Sequence, residues 1–247
     1  MTVKVAAGIR LGVLQDRLAE FRQWLPLDPW DASVTIKRII DENLQGPRRY
    51  GYGSVREHLI GMEMVLADGR LIQSGGNVVK NVAGYDLMKL FVGARQSLGV
   101  IATVTFKLLP IPARQETVSR PCKSASEAAG LTDRLLDSAV CPTVLDWYRL
   151  GAGAGVNVCC AFAGTGEQVD WQLGEIADFG MTPSGDANYE REFFDERNEP
   201  TRMSSVLPSR LAEAVGELGG APFVARAGNG VVWSKVTVGK PTPRAPG

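Results

Sequence analysis

The sequence predicts an α+β protein built from two domains. Its 247 residues exceed the roughly 150 that one domain usually takes. Hydrophobic residues make up 45% of the chain and charged residues 22%, which is enough apolar material for packed cores. Strand and helix patterns alternate until the proline-rich step at 110–112 (PIP). We therefore expect a first domain over residues 1–113, a second over 114–240, and a frayed tail over 241–247.

The first domain has the pattern of a mixed or antiparallel sheet flanked by helices. Apolar residues at spacings of three and four indicate helices, and alternating apolar residues indicate half-buried strands. The predicted elements are, in order, strand 2–7, helix 11–25, strands 59–66 and 71–75, helix 85–92 and strand 98–109. Asp68 and Gly69 predict a hairpin turn between the middle two strands, because glycine accepts a positive φ. Residues 41–54 are polar and rich in glycine, and they predict a loop that binds a ligand.

The second domain has shorter elements. Predicted strands cover 116–121, 143–150, 155–163, 203–207, 223–227 and 231–238, and predicted helices cover 124–138, 165–178 and 209–218. This order favours an antiparallel sheet with helices on one face. Residues 183–200 are charged and irregular, and no regular element is predicted there.

Charge and hydropathy exclude several classes of protein. Lys and Arg together number 27, as do Asp and Glu, so there is no overall basic field and nucleic acid is an unexpected partner. The apolar runs are far shorter than the roughly 18 residues that span a bilayer, and the first ten residues do not have the pattern of a signal peptide. We expect a soluble cytoplasmic protein, with peripheral membrane association through partner subunits as an open alternative.

The sequence also gives little support for a metal site or for catalysis by a cysteine or histidine nucleophile. The single histidine, His58, excludes sites made of several imidazoles, and Cys122, Cys141, Cys159 and Cys160 show no paired metal-ligand spacing. We expect reduced, mostly buried thiols and no metal. His58 is either a proton acceptor or flavin attachment point, or a structural histidine, and the structural role is favoured.

One glycine pattern resembles a phosphate-binding fingerprint but fails on context. Gly151, Gly153 and Gly155 precede VNVCCAFA, which has the composition of a strand, whereas the fingerprint requires a helix to begin at the glycines. A hairpin turn is the preferred interpretation.

Three other segments favour ligand binding. Residues 46–54 (GPRRYGYGS) combine glycines, two arginines and two tyrosines, which suit an anionic aromatic cofactor, although a solvated basic turn has the same composition. Lys80 and Asn81 precede a predicted helix that carries Asp86 in its first turn. Residues 93–101 (GARQSLGVI) form a helix-to-strand turn with glycines near both ends.

Residues 46–72 (GPRRYGYGSVREHLIGMEMVLADGRLI) and 75–112 (GGNVVKNVAGYDLMKLFVGARQSLGVIATVTFKLLPIP) together resemble a known family. It is the FAD-binding domain of the p-cresol methylhydroxylase (PCMH) type, from the vanillyl-alcohol oxidase superfamily. Within it, the chain is most similar to the FAD-binding accessory subunits of glycolate oxidases. The resemblance covers about residues 3–118 and extends weakly, through 225–233 (ARAGNGVVW), to a cap or substrate domain.

The resemblance implies a partial PCMH-type domain, followed by a smaller α+β cap-like domain, in which backbone amides hold FAD. Carried over to this sequence, the cofactor-binding residues are Thr35, Ile36, Asn43, Gly46, Gly53, Ser54, Val55, Gly99, Val100 and Ile101, with Lys80 near the flavin. A cation there stabilises the negative charge of the reduced form. We expect the turns before residue 56 and after residue 98 to converge on one groove. The resemblance assigns no catalytic residue.

The chain departs from the family at three places. Lys37 and Arg38 stand where the family has two glycines, and the predicted consequence is that their side chains block the cofactor. Residues 93–97 (GARQS) replace a glycine-rich turn. The family's first subdomain and its closing C-terminal segment have no counterpart in this sequence, which is expected to be truncated.

Two functions follow from the resemblance. The first is an FAD-binding subunit of a glycolate oxidase-like complex, accessory or electron-relaying, that acts with sister subunits on a small 2-hydroxy acid. The second is a non-catalytic assembly subunit that binds no flavin.

Overall fold

The computed structural model describes residues 1–76, 86–185, 188–195 and 201–235. The chain divides into two compact units, Met1–Arg114 and Gln115–Gly247. The predicted tail lies outside the described residues.

The first unit contains a four-stranded antiparallel sheet in the order β1-β5-β3-β4 and a two-stranded sheet of β2 and β6. Its strands are β1 (Thr2–Ala6), β2 (Gln23–Trp24), β3 (Leu59–Val65), β4 (Leu71–Gly75), β5 (Val100–Lys107) and β6 (Leu109–Pro110). Its helices are α1 (Leu11–Ala19), α2 (Ile36–Glu42), α3 (Arg49–Tyr52), α4 (Val55–His58) and α5 (Met88–Phe91). One core of aliphatic residues, Met and Phe joins the sheet to α1, α2 and α5.

The hairpin prediction for β3 and β4 is confirmed. Gly69 has a φ of 83°, and its N–H donates to the Leu66 carbonyl at 3.0 Å. Leu66 in turn donates to the Arg70 carbonyl at 3.0 Å, which closes the turn.

Two predictions for this unit need correction. The first helix ends at Ala19 and not near Leu25, because Arg22 takes a φ of 55° and the next residues form β2, which pairs with β6. The predicted loop at 41–54 contains the end of α2 and all of α3. The glycines in this segment interrupt the regular apolar spacing that indicates a helix, so the sequence did not predict these short helices.

The second unit contains a seven-stranded sheet in the order β10-β7-β9-β8-β12-β13-β11. The strands are β7 (Arg114–Cys122), β8 (Val144–Arg149), β9 (Val156–Gly164), β10 (Thr182–Pro183), β11 (Thr201–Ser205), β12 (Phe223–Arg226) and β13 (Val231–Lys235). The helices are α6 (Ala125–Asp137), α7 (Gly166–Glu175), α8 (Tyr189–Asp195) and α9 (Leu211–Glu217), with 3-10 turns at Ala177–Phe179 and Pro208–Arg210. β8 and β9 form an antiparallel hairpin, which confirms a turn, and not a fingerprint, at Gly151, Gly153 and Gly155.

Helices cover both faces of this sheet, whereas the sequence predicted one. Trp147 donates its indole N–H to Thr132 of α6 at 2.8 Å, and the neighbouring Asp146 accepts a hydrogen bond from Tyr189 of α8 at 2.6 Å. Successive residues of a strand point to opposite faces. Helix α6 therefore lies on one face and α8 on the other, within a stretch for which no regular element was predicted.

Candidate functional site

A cleft in the first unit brings three of the predicted residues together. It is lined by Pro26, Leu27, Asp28, Leu44, Gln45, Gly46, Arg49, Gly53 and Ser54. Its internal space is about 10 Å³, roughly the room that one water molecule needs, so the cleft would have to widen to admit part of a dinucleotide.

Gly46 is required by a close approach to the opposite wall of the cleft. A Cβ at this position would stand 1.9 Å from the carbonyl oxygen of Asp28. The Asp28 carboxylate also accepts the N–H of Arg48 at 3.2 Å, and the Arg48 side chain lies 3.7 Å from it. The backbone between residues 46 and 48 is thus fastened against Asp28.

Gly53 and Ser54 form the other wall through the start of α4. Ser54 and Glu57 make a capping box: the Ser54 N–H donates to the Glu57 carboxylate at 2.7 Å, and the Arg56 N–H donates to Ser54 Oγ at 3.3 Å. Gly53 has a φ of 83° and donates its N–H to the Arg49 carbonyl at 2.9 Å. Val55, the next predicted residue, is wholly buried in the core.

Thr35 and Ile36 do not line the cleft; they lie at the start of α2. Thr35 Oγ1 accepts the N–H of Arg38 at 3.3 Å and caps the helix. The N–H of Ile36 donates to Ile9 at 2.9 Å and that of Lys37 to Ala7 at 2.7 Å. These two amides are therefore engaged within the protein.

The side chains of Lys37 and Arg38 lie along α2. Lys37 Nζ is 2.5 Å from Asp41 Oδ2, and Arg38 Nε is 2.9 Å from Glu42 Oε1. Both pairs join residues four apart, so each cationic group is directed away from the start of the helix. The predicted obstruction is therefore absent at the start of α2, because the two cationic groups lie beside the acidic residues of its last turn.

Gly99, Val100 and Ile101 lie at the far end of the β3–β5 ladder from Ser54. Val100 is opposite Val65, whereas Leu59, which follows α4, is opposite Phe106. Six residues of β3 separate these pairs, a distance of about 20 Å. Gly99 is needed at its position because a Cβ would stand 2.5 Å from the Val65 carbonyl oxygen.

The predicted residues therefore form two groups and not one compact groove. The N–H of Ala7 donates to Ala102 at 2.9 Å, so the start of α2 lies at the Val100 end of β5. The other end of α2, about 10 Å away, leads through Asn43 toward the cleft. Helix α2 connects the two groups, and their convergence on one extended groove stays a prediction.

Asn43 occupies the junction at the end of α2. It has a φ of 49° and caps the helix through its N–H. Gly93 donates to the Ile40 carbonyl at 2.8 Å and Arg95 to that of Asp41 at 3.0 Å, so the 93–97 turn closes the same helix end. The turn is thereby fixed against the C-terminal end of α2.

Two buried polar atoms near the cleft have no hydrogen-bond partner among the described residues: Asn43 Oδ1 and Trp24 Nε1. Asn43 Oδ1 can accept a hydrogen bond and Trp24 Nε1 can donate one, and buried polar groups normally have such a partner. Asn43 adjoins the cleft-lining Leu44 in sequence, and Trp24 lies two residues before the cleft-lining Pro26. They are polar groups beside the segments that line the cleft, and a bound ligand would satisfy them.

Sequence reasoning missed Trp24, which contacts two residues of the predicted 46–54 segment. Trp24 packs edge-on against Tyr52, with ring centroids 5.3 Å apart, and the Arg48 guanidinium lies 5.0 Å from the Trp24 ring. Burial raises the pKa of Tyr52, so its phenol stays protonated and neutral beside Trp24. Trp24 precedes that segment by more than twenty residues, so no local sequence pattern joins it to the site.

His58 has the structural role that the sequence favoured. It is 3% exposed, and its Nε2 lies 2.9 Å from the Tyr52 carbonyl oxygen, while Nδ1 has no partner among the described residues. Burial lowers its pKa. A neutral ring that donates from Nε2 satisfies this geometry.

Lys80, with Asn81, lies outside the described residues. Asp86 is described, and its carboxylate is 2.6 Å from Lys89 Nζ, which makes it a local helix partner. Among the residues that the structure describes, no group of three His, Cys, Asp or Glu side chains could hold a metal ion. In the same residues there is no helix of the length and hydropathy that crossing a membrane requires.

Comparison with known proteins confirms the family resemblance. The model of the family "FAD binding domain" matches residues 1–75, which include every predicted site residue from Thr35 to Val55. The chain is 37% identical over 123 residues to glycolate oxidase subunit GlcD of Bacillus subtilis (strain 168), a match that covers 49% of this chain and 26% of the relative. It is 34% identical over 163 residues to glycolate oxidase subunit GlcE of Escherichia coli (strain K12), covering 63% of this chain and 46% of the relative.

Two further matches agree with the fold. A D-lactate dehydrogenase of Archaeoglobus fulgidus is 41% identical over 106 residues, covering 42% of this chain and 24% of the relative. A solved alkyldihydroxyacetonephosphate synthase superposes on 95% of this chain and 57% of its own, with a TM-score of 0.68 and 16% identity. That likeness supports the α+β fold. The chain spans less than half the length of the curated relatives it matches.

Proposed function

We propose, on the premise that the first unit is related to the FAD-binding domain family, that this chain is an FAD-binding subunit of a 2-hydroxy acid oxidoreductase. The observation that carries the proposal is the family match to residues 1–75, which contain the cleft and its glycines. The relatives named as glycolate oxidase subunits and D-lactate dehydrogenase supply the substrate class.

The two groups of predicted residues suit an extended dinucleotide, which needs contacts at both ends. The cleft, Asn43 Oδ1 and Trp24 Nε1 would hold one end, and the backbone around Gly99 and Val100 would hold the other. Bound FAD would supply the redox chemistry by accepting two electrons from the substrate carbon. The protein side chains bind and orient; Arg49 lines the cleft and supplies positive charge beside it.

Partners and location belong to the same proposal. The names of the relatives describe subunits, so we propose that the chain works within a complex of sister subunits, as an accessory or electron-relaying member, in the cytoplasm. Attachment to a membrane would then depend on those partners. Co-purification of the tagged chain from its own cells, followed by separation of soluble and membrane fractions, tests both points.

The test of flavin binding uses the full chain. Purified protein is titrated with FAD and followed by quenching of flavin fluorescence, with riboflavin, which lacks the adenosine and phosphates, as the control ligand. We expect saturation at one FAD per chain and weaker binding of riboflavin, because an extended site contacts both ends. Equal binding of the two flavins would contradict the extended site.

A second function is favoured by a specific observation. The N–H groups of Ile36, Lys37, Gly53 and Ser54 already donate to protein acceptors, which leaves fewer amides for a cofactor. This suits an assembly subunit without flavin. Failure to bind FAD at saturating concentration, in protein that is folded by circular dichroism, would establish this alternative and reject the first.

A further inference from the structure

We propose that Arg226 and Asp146 form a recognition site for a small 2-hydroxy carboxylate in the second unit, and that Glu190 of α8 fills this site in the conformation seen here. The choice of ligand rests on the proposed function. The binding itself does not require flavin, so the two proposals can fail separately.

The site begins with two charged residues on neighbouring strands. Arg226 of β12 is directly opposite Asp146 of β8. Arg226 is 1% exposed and Asp146 is 0% exposed. A guanidinium and a carboxylate in the middle of a sheet cost several kcal/mol of desolvation each, and an ion pair of this kind adds little net stability. Stability alone therefore does not account for them.

The guanidinium belongs to a hydrogen-bond network with three other side chains. Arg226 Nη1 donates to Asp146 Oδ2, and Arg226 Nη2 donates to Glu190 Oε1. Tyr189 Oη donates to Asp146 Oδ2 at 2.6 Å. One cation thus faces two carboxylates, of which Asp146 belongs to the sheet and Glu190 to a short helix laid over it.

The network leaves one donor and one acceptor unused. Arg226 Nε and Asp146 Oδ1 are buried and have no hydrogen-bond partner within the described part of the chain. A 2-hydroxy carboxylate offers carboxylate oxygens for a guanidinium and a hydroxyl donor for a carboxylate. Its two groups match the two unused atoms, on residues that strand pairing holds side by side.

Glu190 already presents to Arg226 the group that such a ligand carries. It is 4% exposed, and its carboxylate is buried against the guanidinium. We infer that a ligand carboxylate takes the place of the Glu190 carboxylate, while Asp146 stays in place and accepts the ligand hydroxyl.

A natural reporter lies against the site. The Arg226 guanidinium is 5.1 Å from the centre of the Trp233 ring, so displacement of Glu190 alters the surroundings of this indole. Glu192 provides the matched control, because it is on the same helix but exposed to solvent.

The experiment measures binding of glycolate, acetate and glycolamide to the flavin-free full chain by tryptophan fluorescence, with Trp233→Phe to assign the signal. We expect Glu190→Gln to bind glycolate about tenfold more tightly than the unaltered protein, since a competing charge-assisted hydrogen bond is removed. Glu192→Gln should leave the affinity unchanged. Glycolamide should bind at least about tenfold more weakly than glycolate, because it lacks the charge. Asp146→Asn should remove the preference for glycolate over acetate.

Equal affinity of Glu190→Gln and Glu192→Gln for glycolate would overturn the proposal, as would equal binding of glycolate and glycolamide. If Glu190→Gln does not fold, hydrogen exchange in the unaltered protein decides the question. Saturating glycolate should speed exchange of the α8 amides at least about tenfold, because the helix loses its anchor. Unchanged exchange would identify the network as purely structural.

Discussion

Lys37 and Arg38, adjacent in the first turn of α2, form ion pairs in very different surroundings. The side chain of Asp41 is 5% exposed beside Lys37, whereas that of Glu42 is 39% exposed beside Arg38. Loss of a partner leaves a buried carboxylate unsatisfied, and an exposed carboxylate is simply solvated.

We therefore predict that Lys37→Met lowers the free energy of unfolding by about 1–3 kcal/mol and that Arg38→Met lowers it by less than about 1 kcal/mol. Urea denaturation of the two variants measures the difference. Equal losses would show that the buried position of Asp41 has no energetic weight. Glycines at 37 and 38 should not tighten FAD binding, because the cationic groups already lie away from the start of α2.

His58 makes stability depend on pH in a defined direction. Burial lowers its pKa below the ordinary 6.5, so the unfolded chain binds the proton more readily than the folded chain. The stability that the neutral ring contributes is present above pH 6.5 and declines as the pH falls below it.

We predict that the free energy of unfolding decreases between pH 7 and about pH 5, and that His58→Gln, which keeps a donor for Tyr52, shows a smaller decrease. Chemical denaturation at several pH values provides the measurement, and parallel curves would contradict the assignment. Burial raises the pKa of Asp146, which acts in the opposite sense, but this group is common to both proteins.

At the level of elements, the described residues include two capping boxes with different expected roles. Ser54 and Glu57 open α4 beside the cleft, and Thr165 and Gln168 open α7 in the second unit. Each box satisfies helix N–H groups that would otherwise lack an acceptor.

We predict that Ser54→Ala and Thr165→Ala each lower the free energy of unfolding by about 1 kcal/mol, and that only Ser54→Ala weakens FAD binding. The second variant controls for a general loss of stability. An equal effect of both on FAD affinity would remove Ser54 from the cofactor site.

Elements with a clear period or turn signal were predictable from sequence. The alternation in β5 and the Asp68-Gly69 turn depend on local chemistry that the sequence displays. Helices α3 and α8 were missed, since four to seven residues are too few to establish a period. The glycine-rich residues of the site were predictable as types, but the separation of Ser54 from Val100 depends on strand register, which arises from long-range pairing.

On the scale of the whole molecule, all four cysteines belong to the second unit and differ in access to solvent. Cys141 is exposed, and Cys122, Cys159 and Cys160 are buried. Burial raises the pKa of Cys160 to about 12, so its reactive thiolate is scarce at neutral pH.

We predict that a thiol reagent modifies one cysteine quickly in the folded protein and the other three only after denaturation. Cys141→Ser should abolish the fast phase. A fast reaction of two or more thiols would show that the second unit opens readily under native conditions. Thiol reactivity thus offers a measure of unfolding that is specific to this unit.

The position of Arg226 opposite Asp146 has a consequence for how the second unit assembles. If β12 slipped by one residue along β8, the guanidinium would face Leu145 or Trp147, and the carboxylate would face an alanine. Two unpaired charges would then be buried in apolar surroundings, which would strongly destabilise the misaligned sheet. We therefore expect the pair to disfavour misaligned pairing during folding, since its charges match in one register of two strands that lie more than seventy residues apart in the chain.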